Sequence, residues 1–313
     1  MTRTRIGIAL GGGAARGWAH IGVLRALVQA GIVPDVIAGT SIGAVVGGCF
    51  AAGRLDELEG FARDLTRRKV FSFLDFNMSG SALISGRRLV DRLDKHLQGV
   101  GIEELSRRYV AVTTELGTGH EVWLTRGRLT DAMRASYAIP GIFKPLRIGG
   151  RWLFDGALVN PVPVSVCRAL GARYVIAVNL NADLGGRGGV IADPDLDDLP
   201  PVDSDPGTGT SQPGAARLVR NQLLGDAGSG PGISSVMVQA FNIVQDRIAR
   251  SRLAGDPPDA MISPRLAGLG MFDFHRADEM IHRGLTAAMR ETEDLRRELA
   301  SRQAAFARVP DYA

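Results

Sequence analysis

The sequence predicts an α/β layered fold with a mainly parallel central sheet. Two observations carry that prediction. Short apolar runs alternate with helical patterns from residue 5 to residue 181, and the first two runs each end in a glycine-rich turn that opens a helix. A right-handed crossover between such strands makes them parallel, which brings both turns to the same carboxyl edge of the sheet.

Residues 5–10 read as a buried strand. Residues 17–30 read as a helix, with Ile21, Leu24, Leu27 and Val28 on one face. Residues 33–38 give a second strand and 42–52 a second helix, and 55–68 continue helical. The segments 109–115 and 121–125 form a hairpin about Gly117-Thr118-Gly119. Residues 128–137 are helical and stop before Pro140. A short strand at 152–154, a helix at 162–170 and a buried strand at 174–180 complete this part. Residues 182–232 are rich in Asp, Gly, Pro and Ser and poor in large apolar groups, so they are expected to be a disordered insertion. A helix at 234–253, a strand at 260–263 and a helix at 276–304 follow. The charged stretch ETEDLRRELASRQ of the last helix is expected to project into solvent. The expected layout is one domain over 1–304, with a motif-bearing core at 5–181, the insertion at 182–232, a helical part at 234–304 and a tail at 305–313.

Composition bounds the function. The chain has 313 residues, 45% hydrophobic and 22% charged, which is ordinary for a globular protein. The net charge of +4 is spread over short arginine clusters, and no motif favours nucleic acid. A weak attraction to anionic lipid headgroups is compatible with it. Cys49 and Cys167, the two cysteines, lie among small apolar residues and read as buried thiols, with neither a disulfide framework nor a metal site. Met1 leads within a few residues into the first strand, and no apolar run is long enough to span a bilayer. The expected location is cytoplasmic, with peripheral membrane contact allowed.

The chemistry-bearing pattern is Gly39-Thr40-Ser41-Ile42-Gly43, a G-x-S-x-G turn between strand and helix. Such a turn exposes a serine hydroxyl at a strand end, where the helix N-terminus favours an oxyanion. An ordinary turn is the competing reading. Gly11-Gly12-Gly13-Ala14-Ala15-Arg16-Gly17, after the first strand, offers converging amides for that oxyanion. Dinucleotide binding also uses such a loop, but wants an acidic residue at the end of the second strand, and Asp35 lies at its start. A histidine base finds no supporting context: His275 and His282 read as core or surface residues, His20 as a structural hydrogen-bonder, and His96 and His120 carry no motif. Asp155, in Trp152-Leu-Phe-Asp155-Gly156-Ala157, is the better candidate, flanked by stiff segments around Pro140 and Pro161. A turn aspartate is its plain alternative.

GGGAARG, GTSIG and DGA, in this order and at these separations, resemble the patatin-like phospholipase family. ALGGGAARGWAHIGVLRAL, ASYAIPGIFKPL and AGDPPD are similar to its bacterial branch and to the catalytic region of neuropathy target esterase. Ala14 stands where some members have a fourth glycine. The resemblance implies a three-layer α/β/α fold and a Ser41–Asp155 dyad. It also implies oxyanion amides from Gly11, Gly12, Gly13 and Ala14, with supporting roles for Arg16, Gly17, Gly39, Gly43, Gly156 and Ala157. Arg16 would stabilise the loop or hold a phosphate. No metal or cofactor is implied. The implied substrate is a phospholipid or lysophospholipid. The apolar segment 70–78 is read as packed core or as a flap over an acyl groove. The segment around 134–143 is expected to shape the site by packing alone. Two further functions stay open: acyl transfer to an alcohol, and a regulatory scaffold that binds a protein partner through 182–232 and the charged C-terminal helix.

Overall fold

Period-two alternation sorts the strand residues onto two faces, and helices cover both. A computed structural model describes residues 4–69, 95, 97, 99–182 and 233–307. The apolar segment at 70–78 and the insertion from 183 to 232 lie outside these residues. The chain divides into two units, one of residues 1–184 and 245–313 and the other of residues 185–244. The first unit holds the sheet and the motifs.

Its strands are β1 (Ile6–Leu10), β2 (Val36–Thr40), β3 (Arg108–Glu115), β4 (Glu121–Leu124), β5 (Leu146–Ile148), β6 (Arg151–Asp155), β7 (Tyr174–Val178) and β8 (Ala260–Ile262). The helices are α1 (Ala19–Gln29), α2 (Ile42–Ala51), α3 (Leu55–Arg63), α4 (Leu129–Ser136), α5 (Val164–Ala169), α6 (Ile233–Gly255) and α7 (Ala277–Ala307). In hydrogen-bonded order the sheet runs β5-β6-β3-β2-β1-β7-β8, with β4 also on β3. The run β3-β2-β1-β7-β8 is parallel throughout. Ile8, Leu10, Ile37 and Ile176 face a core built with α1, α2, α4 and α7, while Ala9, Ala38, Val110 and Val175 face one built with α5. This is the expected α/β arrangement with a covered, mostly parallel sheet.

Register explains how the motif residues meet. Residues 108–112 of β3 pair with β2, and residues 113–115 pair antiparallel with β6. β4 overlaps both stretches, so it occupies one edge of β3 while β2 and β6 share the other. Thr40 lies opposite Val112, and Asp155 opposite Thr113. The carboxyl ends of β2 and β6 therefore converge on adjacent residues of one ruler strand.

Two expectations need correction. The second strand begins at Val36, three residues later than expected, and Asp35 precedes it; its carboxylate accepts the Ile6 N–H at 2.8 Å. The charged end of the last helix keeps most of its residues exposed, but it packs against the domain along one face. Leu295 is 3% exposed, the Tyr174 hydroxyl donates to Glu298 at 2.8 Å, and Arg302 pairs with Asp259 while lying over the Tyr174 ring. Long charged side chains cover apolar surface with their stems, so a mostly exposed, charged helix end still packs one face on the domain. Earlier in α7, a Cβ on Gly284 would stand 2.0 Å from the Ala19 carbonyl oxygen, which marks a backbone contact with α1.

Candidate active site

Ser41 follows the last residue of β2, at φ 58 and ψ −125, and α2 begins at the next residue. A non-glycine residue there costs on the order of 1–3 kcal/mol and persists only when its surroundings hold it. They do: the Ser41 carbonyl accepts from the amides of Ala44 and Val45, and its N–H donates to Ser136 Oγ at 2.9 Å. The flanking glycines supply room. A Cβ on Gly39 would stand 2.4 Å from the Gly43 oxygen, and one on Gly43 2.2 Å from the Leu10 oxygen.

Ser41 Oγ donates to Asp155 Oδ2 at 2.6 Å, and the Ala157 amide donates to Oδ1 at 2.8 Å. Asp155 is fully buried and Ser41 is 4% exposed. Burial pushes the Asp155 carboxyl up to about 7, against the two hydrogen bonds, which favour the carboxylate. Gly156 is required for space, since a Cβ there would stand 2.3 Å from the Val112 oxygen.

The glycine loop lies beside this pair, because a Cβ on Gly12 would come within 3.5 Å of the Cβ atoms of both Ser41 and Ala157. Its amides are not equivalent. Gly11 N–H donates to the Val178 carbonyl and Gly12 N–H to that of Pro161. Among the described residues, the Gly13 and Ala14 amides meet no acceptor. Ala14 is at φ 49, the only other non-glycine residue with positive φ among those described. Arg16 is 7% exposed and donates to the Leu269 carbonyl at 2.9 Å and to Asn181 at 3.2 Å, so it braces the loop. A Cβ on Gly17 would run into Ile42 of α2, which packs the two turns together.

His20 lies 2.7 Å from the Gly11 oxygen through Nε2, and burial lowers it to about 4, so it is a neutral donor that steadies the loop. His275 meets Arg67, and no described hydrogen bond joins His20, His120, His275 or His282 to Ser41 or Asp155. His96 is outside the described residues. Cys49 and Cys167 are buried free thiols, held up near 12 by burial. Among the described residues, no three His, Cys, Asp or Glu side chains group as a metal site. No described helix is long and apolar enough to cross a membrane.

Sequence reasoning missed three contributors. Ser136 receives the Ser41 amide, and two residues on, the Ala138 carbonyl receives the Asp155 amide at 3.0 Å. The segment read as packing alone therefore binds both members of the pair. Gln245, 2% exposed, brings Oε1 to 2.9 Å from the point where a Cβ on Gly12 would stand. The Ser136 signal was its place between two motifs in ASYAIPG; nothing local marked Gln245.

Comparison with known proteins decides the family: residues 8–168 match patatin-like phospholipase. The chain belongs to the patatin-like phospholipase family. An uncharacterized NTE family protein of Mycobacterium tuberculosis is 34% identical, covering 92% of this chain and 91% of that protein. Patatin-like phospholipase domain-containing protein 7 of Rattus norvegicus is 36% identical over 60% of this chain, which is 14% of its own length. Neuropathy target esterase sws of Drosophila melanogaster is 34% identical over 58% of the chain, which is 13% of its own length. VipD from Legionella pneumophila shares the fold, with a TM-score of 0.52 at 13% identity over 96% of this chain and 67% of its own. Membership in this patatin-like family supports hydrolase chemistry on lipid substrates.

Proposed function

We propose that this patatin-like chain is a serine-dependent lipid acyl-ester hydrolase of the phospholipase A or lysophospholipase type. The observation that carries the reading is the 2.6 Å hydrogen bond from Ser41 Oγ to the buried Asp155. In the proposed course, Ser41 Oγ attacks the ester carbonyl carbon and its proton passes to Asp155. The carbonyl oxygen becomes an oxyanion, held by the amides of Gly13 and Ala14 and favoured by the N-terminus of α2. Collapse breaks the bond to the alcohol, which leaves with the proton from Asp155. Water then attacks the acyl-enzyme, giving its proton to Asp155, and the fatty acid departs as Ser41 is restored.

A free aspartate, near 3.9, is a weak base. A carboxyl lifted to about 7 takes the hydroxyl proton more readily while remaining substantially ionised at neutral pH. Of the supporting residues, Gly39, Gly43, Gly156 and Gly17 give space, Ala157 orients Asp155, and Gly11, Gly12 and Arg16 fix the loop. The test is hydrolysis of a lysophospholipid and of a short-chain ester by purified wild type and Ser41→Ala. Loss of both activities in the variant is expected; equal rates in the two proteins would refute the reading.

A further inference from the structure

We infer that Ser136 is a positioning residue that sets the nucleophile turn for attack; this rests on the Ser41–Asp155 reading above. Ser136 is the last residue of α4 and is fully buried. Its hydroxyl stands between two backbone groups at the point where β2 leaves β3. It accepts the Ser41 N–H at 2.9 Å and donates to the Val112 carbonyl at 2.6 Å. Thr40 is the last β2 residue paired with β3, opposite Val112. The hydroxyl thus takes up the amide and the carbonyl at the end of this pairing, as an ordered water would in a wetter place.

The geometry gives the contact its purpose. Ser41 is held at positive φ, and α2 fixes only its carbonyl side. On the amide side, Ser136 is the partner. Without the hydroxyl, a buried N–H and a buried C=O lose their bonds together, and the turn relaxes toward a more comfortable φ. Relaxation rotates Oγ away from Asp155, which is anchored separately through the Ala138 carbonyl and the Ala157 amide. A displacement of an ångström at a nucleophile costs on the order of 10²-fold in rate. Ser136 does not itself relay the proton, because its one hydrogen is committed to Val112.

The test compares wild type, Ser41→Ala, Ser136→Ala, Ser136→Cys and Ser136→Thr, using fluorophosphonate labelling rates together with kcat and KM on a short-chain ester. Far-UV circular dichroism establishes that each variant is folded. The expected result is a Ser136→Ala protein that labels and turns over at least about tenfold more slowly, with KM within about twofold of wild type. Ser136→Thr, which keeps the hydroxyl, recovers most of the rate, and Ser136→Cys recovers less. Folded Ser136→Ala with wild-type labelling and kcat would overturn the inference, whatever its melting temperature. If Ser136→Ala does not fold, the ranking of Thr above Cys decides, and equal rates in those two overturn it. Wild type that never labels at Ser41 is a different failure, that of the dyad reading.

Discussion

The turn at residues 11–17 and the turn at 39–43 both follow a fully buried parallel strand and both open a helix. Each also carries one non-glycine residue at positive φ, Ala14 in the first and Ser41 in the second. They differ in the polar groups they carry. The second turn carries a hydroxyl bonded to Asp155, whereas in the first the amides of Gly13 and Ala14 meet no described acceptor. In neither does a glycine take the left-handed conformation. The glycines mark close approaches, of backbone at Gly43 against the Leu10 oxygen and of a side chain at Gly17 against Ile42. Glycine content therefore reports close approach and does not by itself mark chemistry.

The largest effect expected from breaking this asymmetry is at the hydroxyl. Ser41→Ala should lower kcat by at least about 10³-fold, measured on a short-chain ester with the protein still folded. Gly43→Ala tests the claim that glycine supplies space. Its Cβ would meet main chain at 2.2 Å, so a loss of about 3 kcal/mol in urea unfolding is expected, with activity falling alongside.

The pH response follows from Asp155. As a base it must be ionised, so kcat/KM should fall about tenfold per pH unit below 7 and level off above it. Its stability contribution has the opposite sense. The folded carboxyl, near 7, holds its proton where the unfolded one, at 3.8, has lost it, so this group disfavours folding progressively as pH rises from 4 to 7. The melting advantage of Asp155→Asn over wild type should therefore grow across that window and then stay constant. The smallest effect is at Ala14. Glycine at φ 49 carries no Cβ penalty, so Ala14→Gly should gain roughly 0.5–1 kcal/mol while keeping the amide and the activity.

Much of this was legible because the residues proposed to react lie in short local motifs. Ser41, Asp155 and the glycine loop could be named from GTSIG, DGA and GGGAARG, and the alternating pattern placed the strands that carry them. What was not legible depends on partners distant in sequence. Which loop amides find an acceptor among the described residues is decided by Val178 and Pro161, and the Ser136 hydroxyl matters only because β2 ends opposite Val112. The start of β2 was set at Val33 although Pro34 and Asp35 separate that residue from the ladder, which begins at Val36. The three-residue strand β5 is too short to show a period. The buried face of α7 near Leu295 was hidden by its arginines and glutamates.

The most direct test of the dyad is fluorophosphonate labelling mapped by mass spectrometry on wild type and Asp155→Asn. Modification at Ser41, slowed at least about 10²-fold in folded Asp155→Asn, is the predicted result. Labelling of Ser41 at the same rate in both proteins, or none in folded wild type, would contradict the account.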